Sequence, residues 1–496
     1  MAVVLSLCVA ALSLLPLVYV ARATEQTGVG AMARLIFRGR VRELLGNTVQ
    51  LVGVAVPLCL VIGIGAALAV ERVRLPLRGL AAALLAAPLA VPAFVNSYAW
   101  ATVWPGIGGL RGAVLISVLS YYPFVYIPVL AALRRLDPAV EESARSLGLS
   151  GPAVVWRVVL PQLRLPALGG ALLVAVHLLA EYGAFAFVRF DTFTTAIYDQ
   201  YRTTFAGPAA AALSAVLVLL CLLLLVLEAG TRGRERYERI GGGAAARVRP
   251  VRLGAGGIPV ALGILAVLGA ALGVPAWSLT TWLTARGGEW TAELPTIVWT
   301  TLRFSLLAGL LTTVAALPLA WLSVRRPGRW TRALEGTTFV ATSLPGIVVA
   351  LALVTLSLDL LPAVYQTSTL LVFAYAVLFL PRALVTVRAG LAQAPRRLEE
   401  IAMSLGCPRW LALVRVTIPI LAPALLGSIA LAFLGAAGEL SATLLLAPTG
   451  TDTLATRFWS LSNELDYAGA APYALLLVVL SLPMTYLLYR QSREDG

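Results

Sequence analysis

Three ionisable side chains lie inside long apolar runs of this sequence: His177, Glu181 and Glu439. A charged group in such a run is costly and usually faces the interior of a helix bundle or water. Two carboxylates in this setting can draw a cationic solute along a path. His177 lies four residues before Glu181, so the two would share one helix face and could hold a metal ion. All three are therefore candidates for a solute pathway.

Each candidate also has a purely structural alternative. Glu181 and Glu439 can lie near a membrane interface, where backbone or arginine hydrogen bonds to the carboxylates would fix their helices, and we favour this alternative. A lone histidine in an apolar span is more often hydrogen-bonded packing than a ligand. The second half of the chain has no histidine at the site that matches His177. We therefore predict no bound metal there.

Composition excludes several kinds of catalytic chemistry. All 38 basic residues are arginine, and without lysine the chain can form neither a phosphate-cradling Walker loop nor a lysine Schiff base. Any ATP used by this protein must therefore be bound by another chain. The four cysteines and one histidine show no metal-binding spacing. We predict no catalytic residue and no cofactor.

Three tyrosines lie close together in one apolar run. Their oxygen atoms could bind a hard cation, but tyrosine is also common at the membrane–water interface, and we assign them to that interface: Tyr121, Tyr122 and Tyr126.

The elements that position these residues are membrane-spanning helices. The chain is 59% hydrophobic and only 12% charged, about half the charge of a soluble domain. We therefore predict an all-α polytopic protein in a lipid bilayer, with no nucleic-acid site. Its apolar runs are long enough to span a membrane. Twelve spans are predicted at 2–21, 47–70, 77–103, 110–133, 163–188, 207–229, 257–281, 295–323, 333–358, 364–388, 420–446 and 469–489.

One polar segment occurs twice in this apolar chain, at 142–161 and 400–419, 258 residues apart. The same spacing relates Glu181 to Glu439. The second spans also correspond, so the two halves form a repeat. Identical residues at matched positions are Glu141/Glu399, Glu142/Glu400, Ala144/Ala402, Ser146/Ser404, Leu147/Leu405, Gly148/Gly406, Arg157/Arg415, Val158/Val416 and Pro161/Pro419.

The duplicated segment has the pattern of a short amphipathic helix. Asp137 and Pro138 can start it, and acidic residues in its first turn suit the helix dipole. Gly148 and Gly406 would end each copy at a positive φ. Small residues on one face would let another protein approach closely. The alternative is a pair of hairpins that pack against the bundle itself.

Arginine placement predicts the orientation. With both termini cytoplasmic, the inner segments hold more than twice as many arginines as the outer loops, although 22–46 is an arginine-rich exception. Residues 1–21 are predicted to be an uncleaved helix. Six spans per half is an even number, so both polar segments would face the cytoplasm. Residues 236–256 are predicted to be a cytoplasmic linker between two halves at 1–235 and 257–496.

The pattern E-x-A-x3-G-x9-V-x-[LI]-P resembles the EAA loop of permease subunits in binding-protein-dependent ABC importers. Both copies fit it, although the strict second alanine is replaced by Ser143 and Ile401. The resemblance implies that the loops at about 137–161 and 395–419 contact partner ATPases. The coupling residues would be Glu141, Glu142, Ala144, Gly148, Glu399, Glu400, Ala402 and Gly406.

The resemblance also implies the fold, the partners and the mechanism. The fold would be two six-helix type I importer permease domains in a parallel pseudo-twofold repeat, in the cytoplasmic (inner) membrane. A homodimeric ABC ATPase would bind at the cytoplasmic side, and an extracytoplasmic binding protein would deliver substrate. ATP binding would move the two coupling helices together and switch the access of the path, while this chain itself is not an enzyme.

The cargo suggested by the resemblance is ferric iron. The stretches "VPAFVNSYAW" (91–100) and "EYGAFAFVRFDTFTTAIYDQY" (181–201), in a chain that fuses two permease halves, are similar to ferric-iron importer permeases. Importers of thiamine or aminoethylphosphonate have related permeases and stay alternatives. An alternative of another class is a secondary transporter that uses an ion gradient, with Glu181 and Glu439 as protonatable gates.

Overall fold

The computed structural model describes residues 2–202, 207–231, 257–285, 290–342 and 344–494. The predicted linker, 236–256, lies outside these residues. The elements in the described part of the chain are all helices, as the apolar composition predicted. Helices satisfy the backbone hydrogen bonds within one segment, which a lipid environment requires.

The first half of the chain forms fifteen α-helices, with one 3-10 turn (Ala87–Ala90) and one π-helical turn (Val155–Val159) within the residues described. They are α1 (Ala2–Ser13), α2 (Leu15–Thr27), α3 (Val29–Ile36), α4 (Gly39–Arg72), α5 (Arg78–Ala86), α6 (Ala93–Val103), α7 (Gly109–Tyr121), α8 (Pro123–Arg135), α9 (Pro138–Ser146), α10 (Gly151–Val154), α11 (Leu160–Gln162), α12 (Arg164–Ala180), α13 (Gly183–Phe187), α14 (Phe193–Arg202) and α15 (Gly207–Thr231).

The second half repeats this order in its described part, with π-helical turns at Gly269–Gly273 and Leu413–Thr417 and a 3-10 turn at Pro362–Val364. Its helices are α16 (Gly257–Leu268), α17 (Val274–Ala285), α18 (Leu294–Arg325), α19 (Arg329–Thr342), α20 (Gly346–Leu360), α21 (Ser368–Gln393), α22 (Arg396–Ser404), α23 (Arg409–Ala412), α24 (Ile418–Ala437), α25 (Ser441–Leu446), α26 (Leu454–Asn463) and α27 (Tyr467–Glu494).

Many of the helices are long and apolar enough to cross a membrane. Among the described residues, seven segments are long and apolar enough to cross, and three bent helix pairs bring this number to ten. Two shorter apolar helices, Gly346–Leu360 and Tyr467–Pro483, lie where the ninth and twelfth spans were predicted. The sharpest bend, 94°, separates Arg78–Ala90 from Ala93–Val103. Pro92 lies in this break, where a proline cannot continue a helical hydrogen-bond ladder.

The chain forms two compact units, here called the α4 unit and the α18 unit after their central helices. The α4 unit contains Phe37–Ala196, Leu219–Gly288 and Tyr467–Gly496. The α18 unit contains Met1–Ile36, Ile197–Val218 and Glu289–Asp466. The first span of the first half therefore belongs to the α18 unit, and the first and last spans of the second half belong to the α4 unit. Helix α15, the last span of the first half, is assigned to the α18 unit up to Val218 and to the α4 unit from Leu219. The division of the sequence at 236–256 describes the repeat and stays a prediction.

In the α4 unit, α4, α8 and α12 pack against one another. Small residues allow this close packing: a Cβ atom on Gly170 would lie 2.7 Å from the Phe124 carbonyl oxygen, and one on Gly63 would lie 2.8 Å from Val125 Cβ. Membrane helices often associate through close backbone contact at glycine. Lipid tails are as apolar as the side chains, so the hydrophobic effect does not drive helices together there. This trio forms the rigid centre of the unit.

In the α18 unit, the repeat-related helices α18, α21 and α24 form the same kind of centre. A Cβ atom on Gly309 would lie 2.7 Å from the Ile429 carbonyl oxygen. Helices α1 and α2, from the first span of the chain, pack against α18, α19 and α20 of this unit. The local sequence of the first span does not indicate which of the two units it packs in.

Candidate coupling and pathway sites

The first duplicated segment folds as the sequence predicted. Asp137 caps α9, because its Oδ1 accepts a hydrogen bond from the Ala139 backbone N–H at 2.9 Å. Gly148 ends the segment at φ +87°. Its N–H donates to Arg145 O at 2.9 Å, and the next N–H, of Leu149, donates to Ala144 O at 3.2 Å. This pairing of a left-handed glycine with two backward hydrogen bonds is a glycine-type helix end.

The second copy has the same backbone geometry. Helix α22 ends at Gly406, whose φ is also +87°. The Gly406 N–H donates to Met403 O at 3.0 Å, and the Cys407 N–H donates to Ala402 O at 3.1 Å. The two segments therefore match in conformation as well as in sequence, and each presents one short helix closed by one glycine.

The exposed face of each short helix combines a carboxylate with large apolar side chains. Glu142 and Glu400 are exposed. Leu147 is 84% exposed and its repeat partner Leu405 is 80% exposed. Ala144 instead faces inward and is buried. Leu147 and Leu405 thus lie on the free surface of each segment, where a partner could cover them.

Glu141 and Glu399 lie on the opposite, inward face and form ion pairs. Glu141 pairs with Arg72, the last residue of α4. Glu399 Oε1 lies 2.6 Å from Arg325 Nη2, at the last residue of α18. Sequence reasoning placed both glutamates among the coupling residues but did not identify their arginine partners. An arginine that ends the second span of each half was the available signal.

A widened helical turn follows each coupling segment at the same repeat spacing. It spans Val155–Val159 in the first half and Leu413–Thr417 in the second. Pro161 and Pro419 are the second residue after each turn. A proline lacks the backbone N–H and crowds the carbonyl four residues earlier, and a π-helical turn accommodates both effects. The sequence did not indicate this widening.

Glu181 lies at a break between α12 and α13. Its Oε1 accepts the Ala184 backbone N–H at 2.8 Å, and its Oε2 accepts the Tyr121 hydroxyl at 2.6 Å. Thr194 Oγ1 donates to the Glu181 backbone carbonyl at 2.6 Å. The carboxylate therefore caps the short helix that follows it. Tyr121, which the sequence analysis assigned to the interface, is one of its two donors.

Glu439 occupies the matching break between α24 and α25. Its Oε1 accepts the Ala442 backbone N–H at 3.0 Å, the counterpart of the Ala184 bond. The same oxygen would lie 2.8 Å from a Cβ atom on Gly346, so only glycine leaves it room there. Arg382 interacts electrostatically with Glu439, and its guanidinium lies 5.4 Å from the Phe379 ring centroid.

His177 packs among aromatic rings on the same unit as Glu181. Its ring centroid lies 4.3 Å from that of Phe124 and 5.6 Å from that of Tyr121. Its Nδ1 lies 2.8 Å from the Leu173 carbonyl oxygen. Within the described residues, no group of three or more His, Cys, Asp or Glu side chains is placed to hold a metal ion. The geometry fits the structural alternative for this histidine.

The polar surroundings of the two carboxylates differ. In the α4 unit, Asn96 and Ser120 are buried and joined by a 2.9 Å hydrogen bond from Asn96 Nδ2, and Ser117 lies one turn before Tyr121. Asn96 Oδ1 and the Ser117 hydroxyl are buried atoms without a hydrogen-bond partner in the described structure. The repeat position of Ser120 is Leu378. Beside Glu439 the polar contacts are different: Thr443 Oγ1 donates to the Glu439 backbone carbonyl at 2.5 Å and lies 2.6 Å from the Tyr375 hydroxyl.

Comparison with known proteins identifies the family. A family model described as "Binding-protein-dependent transport system inner membrane component" matches residues 59–230 and again 306–493. The chain belongs to this family. The two matches show that one chain contains two fused permease domains. It is a permease subunit of an ABC importer, a transport component without an enzymatic centre, and the importer includes ATPase and substrate-binding partners.

Individual relatives show which transport systems the chain is similar to. The chain is similar to Fe(3+)-transport system permease protein FbpB 2 of Haemophilus influenzae, with 33% identity over 485 residues and 96% of each chain covered. It is 23% identical over 399 residues to the ferric transport system permease protein FbpB of Actinobacillus pleuropneumoniae, which covers 75% of this chain and 57% of that relative. The putative 2-aminoethylphosphonate transport system permease protein PhnV of Salmonella typhimurium is 29% identical over 213 residues, 42% of this chain and 78% of that relative.

Proposed function

We propose that this permease moves ferric iron by alternating access, driven by a homodimeric ATPase that docks on the segments ended by Gly148 and Gly406. The observation that carries the docking proposal is the shared geometry of the two segments, each a short helix closed by a glycine at φ +87°. Two surfaces of the same shape fit two copies of one partner. A twofold ATPase is the simplest such partner.

The chemistry of the exposed face supports an ATPase contact. Leu147 and Leu405 are large exposed apolar side chains next to a glycine, and Glu142 and Glu400 supply a charge beside them. An apolar anchor with a charged neighbour is typical of a small protein interface. The proposed coupling residues on this face are Glu142, Gly148, Glu400 and Gly406, while Glu141, Ala144, Glu399 and Ala402 hold each helix in place.

We further propose that both termini and both coupling segments lie in the cytoplasm. The excess of arginine in the corresponding segments supports this orientation. The binding protein would then meet the opposite face. The chain would act as two permease halves, 1–235 and 257–496, that carry the coupling segments at about 137–161 and 395–419.

Glu181 and Glu439 are the proposed pathway residues, with His177 as a neighbour of the first. Each carboxylate lies at a helix break, and broken helices at membrane depth are where transporters place their solute sites. Negative charge at both breaks suits a cationic cargo such as ferric iron. The similarity of nearly the whole chain to a ferric permease supports the same cargo.

A phosphonate-type anion is the second candidate cargo. Arg382 lies in α21 near Glu439, so the second half carries a positive charge where the first half carries Phe124. The aminoethylphosphonate permease relative supports this candidate as well. A cargo test should therefore compare a cation with an anion.

The docking proposal is tested by substituting the two helix-ending glycines. Gly148→Asp and Gly406→Asp force a side chain into a positive-φ position and add charge at the docking face. The partner ATPase is expected to stop co-purifying with both variants, and ATP-dependent uptake should be lost. Gly28→Asp is the matched control, because Gly28 has φ +82° and open space around it but belongs to neither segment. Full ATPase co-purification with both variants would refute the docking proposal.

The cargo proposal is tested in proteoliposomes that contain the complete transporter. Radioactive ferric iron on the cognate binding protein should enter only when ATP is supplied, and excess 2-aminoethylphosphonate or thiamine should not compete. Uptake that follows an ion gradient without ATP would instead support a secondary transporter. Competition by aminoethylphosphonate would favour the anion.

A further inference from the structure

A largely buried ion pair joins each coupling helix to the last residue of a long membrane helix. In the α4 unit, the exposed fraction of the side chain is 5% for Glu141 and 14% for Arg72. In the α18 unit, the exposed fractions are 14% for Glu399 and 11% for Arg325. The glutamate occupies the same repeat position in both, directly before the exposed Glu142 or Glu400. The ion pair thus recurs in both copies of the repeat.

Each pair has supporting partners that fix its geometry. Arg145 Nη2 lies 3.8 Å from Glu141 Oε2 within the same short helix. Thr417 Oγ1 donates to Glu399 Oε1 at 3.0 Å, from the widened turn that follows the second coupling segment. In the α4 unit the neighbouring residue, Glu71, accepts from Arg134 Nε at 2.6 Å, which joins the end of α4 to the end of α8. The ends of α4 and α18 are therefore held from several sides.

Stability alone does not account for these pairs. Burying two charges costs desolvation energy that their attraction often only balances, so an apolar contact of the same size would stabilise the fold at least as well. An ion pair differs from an apolar contact because it fixes one register and resists sliding. A contact between a coupling helix and a membrane helix must resist sliding if the two helices are to move together.

We infer that Arg72–Glu141 and Arg325–Glu399 are latches that transmit the movement of each coupling helix to α4 and α18. Helix α4 packs along α8 and α12, and α18 packs along α21 and α24, so each latched helix belongs to the centre of its unit. A force on the coupling helix then moves that centre instead of bending the loop. The inference rests on the proposed docking of an ATPase, and it assigns Arg72, Glu141, Arg325 and Glu399 as positioning residues.

The test measures coupling separately from docking. The complete transporter, with its ATPase and its ferric-loaded binding protein, is reconstituted with Glu141→Gln or Glu399→Gln. Both variants should keep the ATPase bound and keep hydrolysing ATP. Iron uptake per ATP hydrolysed should fall about tenfold, a change typical of residues that carry coupling between sites. Glu43→Gln is the control, because Glu43 makes an exposed ion pair with Arg40 near the other end of α4.

Rescue distinguishes a latch from a general structural role. The charge-exchanged double variants Arg72→Glu/Glu141→Arg and Arg325→Glu/Glu399→Arg should recover most of the uptake per ATP, whereas each single reversal should not. As a second measurement, spin labels at Ser146→Cys and Val61→Cys, both within the α4 unit, should keep one narrow distance distribution on ATP binding. Glu141→Gln should broaden that distribution.

Several results would overturn the latch. Unchanged uptake per ATP in both glutamine variants would do so, as would a failure of both charge exchanges to recover uptake. Loss of the ATPase from the glutamine variants would make the pairs structural supports of docking and would also refute the latch. An ATPase that does not bind even the unaltered chain would refute the proposed function itself, and the latch with it.

Discussion

At the scale of single residues, the two pathway carboxylates have both a structural and a chemical role. Glu181 and Glu439 each accept the backbone N–H three residues ahead, so each caps a short helix after a break. Glu181 also accepts the Tyr121 hydroxyl at 2.6 Å. A carboxylate held in a fixed geometry can still contact a cation as it passes.

Glu181→Gln keeps the shape of the side chain and removes its charge. Uptake of ferric iron should fall about tenfold, since hydrogen bonds and contacts to a charged group are worth roughly 1.5–3 kcal/mol. ATPase co-purification should not change. The measurement is initial uptake in proteoliposomes, with Glu25→Gln, an exposed carboxylate outside both sites, as the control. Equal uptake by Glu181→Gln and the control would remove Glu181 from the pathway.

At the scale of elements, close helix crossings limit which residues the centres tolerate. Gly170 in α12 faces the backbone of α8, whereas Gly169 has nothing within 4 Å of the position its Cβ would take. The two neighbouring glycines therefore offer a matched pair of substitutions in one helix.

Gly170→Ala should destabilise the protein, because its Cβ would meet the Phe124 carbonyl oxygen at 2.7 Å. Overpacking of this kind costs about 1–3 kcal/mol. Gly169→Ala should leave stability unchanged or raise it slightly, since alanine is the better helix former. Thermal unfolding in detergent measures both. A Gly170→Ala variant as stable as Gly169→Ala would mean that α8 and α12 are not in close contact.

The sequence was sufficient to predict some elements and insufficient for others. The stop of α9 and α22 at glycine is local chemistry, and it was predicted correctly from Asp137, Gly148 and Gly406. The breaks at Glu181 and Glu439 were predicted as continuous spans, because hydropathy does not register a helix that bends within an apolar run. The Arg72–Glu141 pair joins residues that are distant in the sequence, so the arginine at the end of the span did not indicate which carboxylate it meets.

At the scale of the whole molecule, duplication organises the chain. The repeat, the twofold family match and the equal geometry of the coupling segments all describe one permease domain that occurs twice. The assignment of the first span of each half to the unit of the other half could not be predicted, because apolar spans of similar length are interchangeable at the level of composition. The proposed function requires both copies of the coupling segment to face one side of the membrane.

The most direct test labels both coupling segments in sealed vesicles. Cysteines are placed at the exposed positions Leu147 and Leu405, one at a time, in a chain whose native cysteines are replaced by serine or alanine. A membrane-impermeant maleimide is then added to inside-out and right-side-out vesicles, with and without the partner ATPase. The account predicts that both cysteines react only in inside-out vesicles and that the bound ATPase protects both. Labelling of the two cysteines from opposite sides, or equal labelling with and without the ATPase, would contradict it.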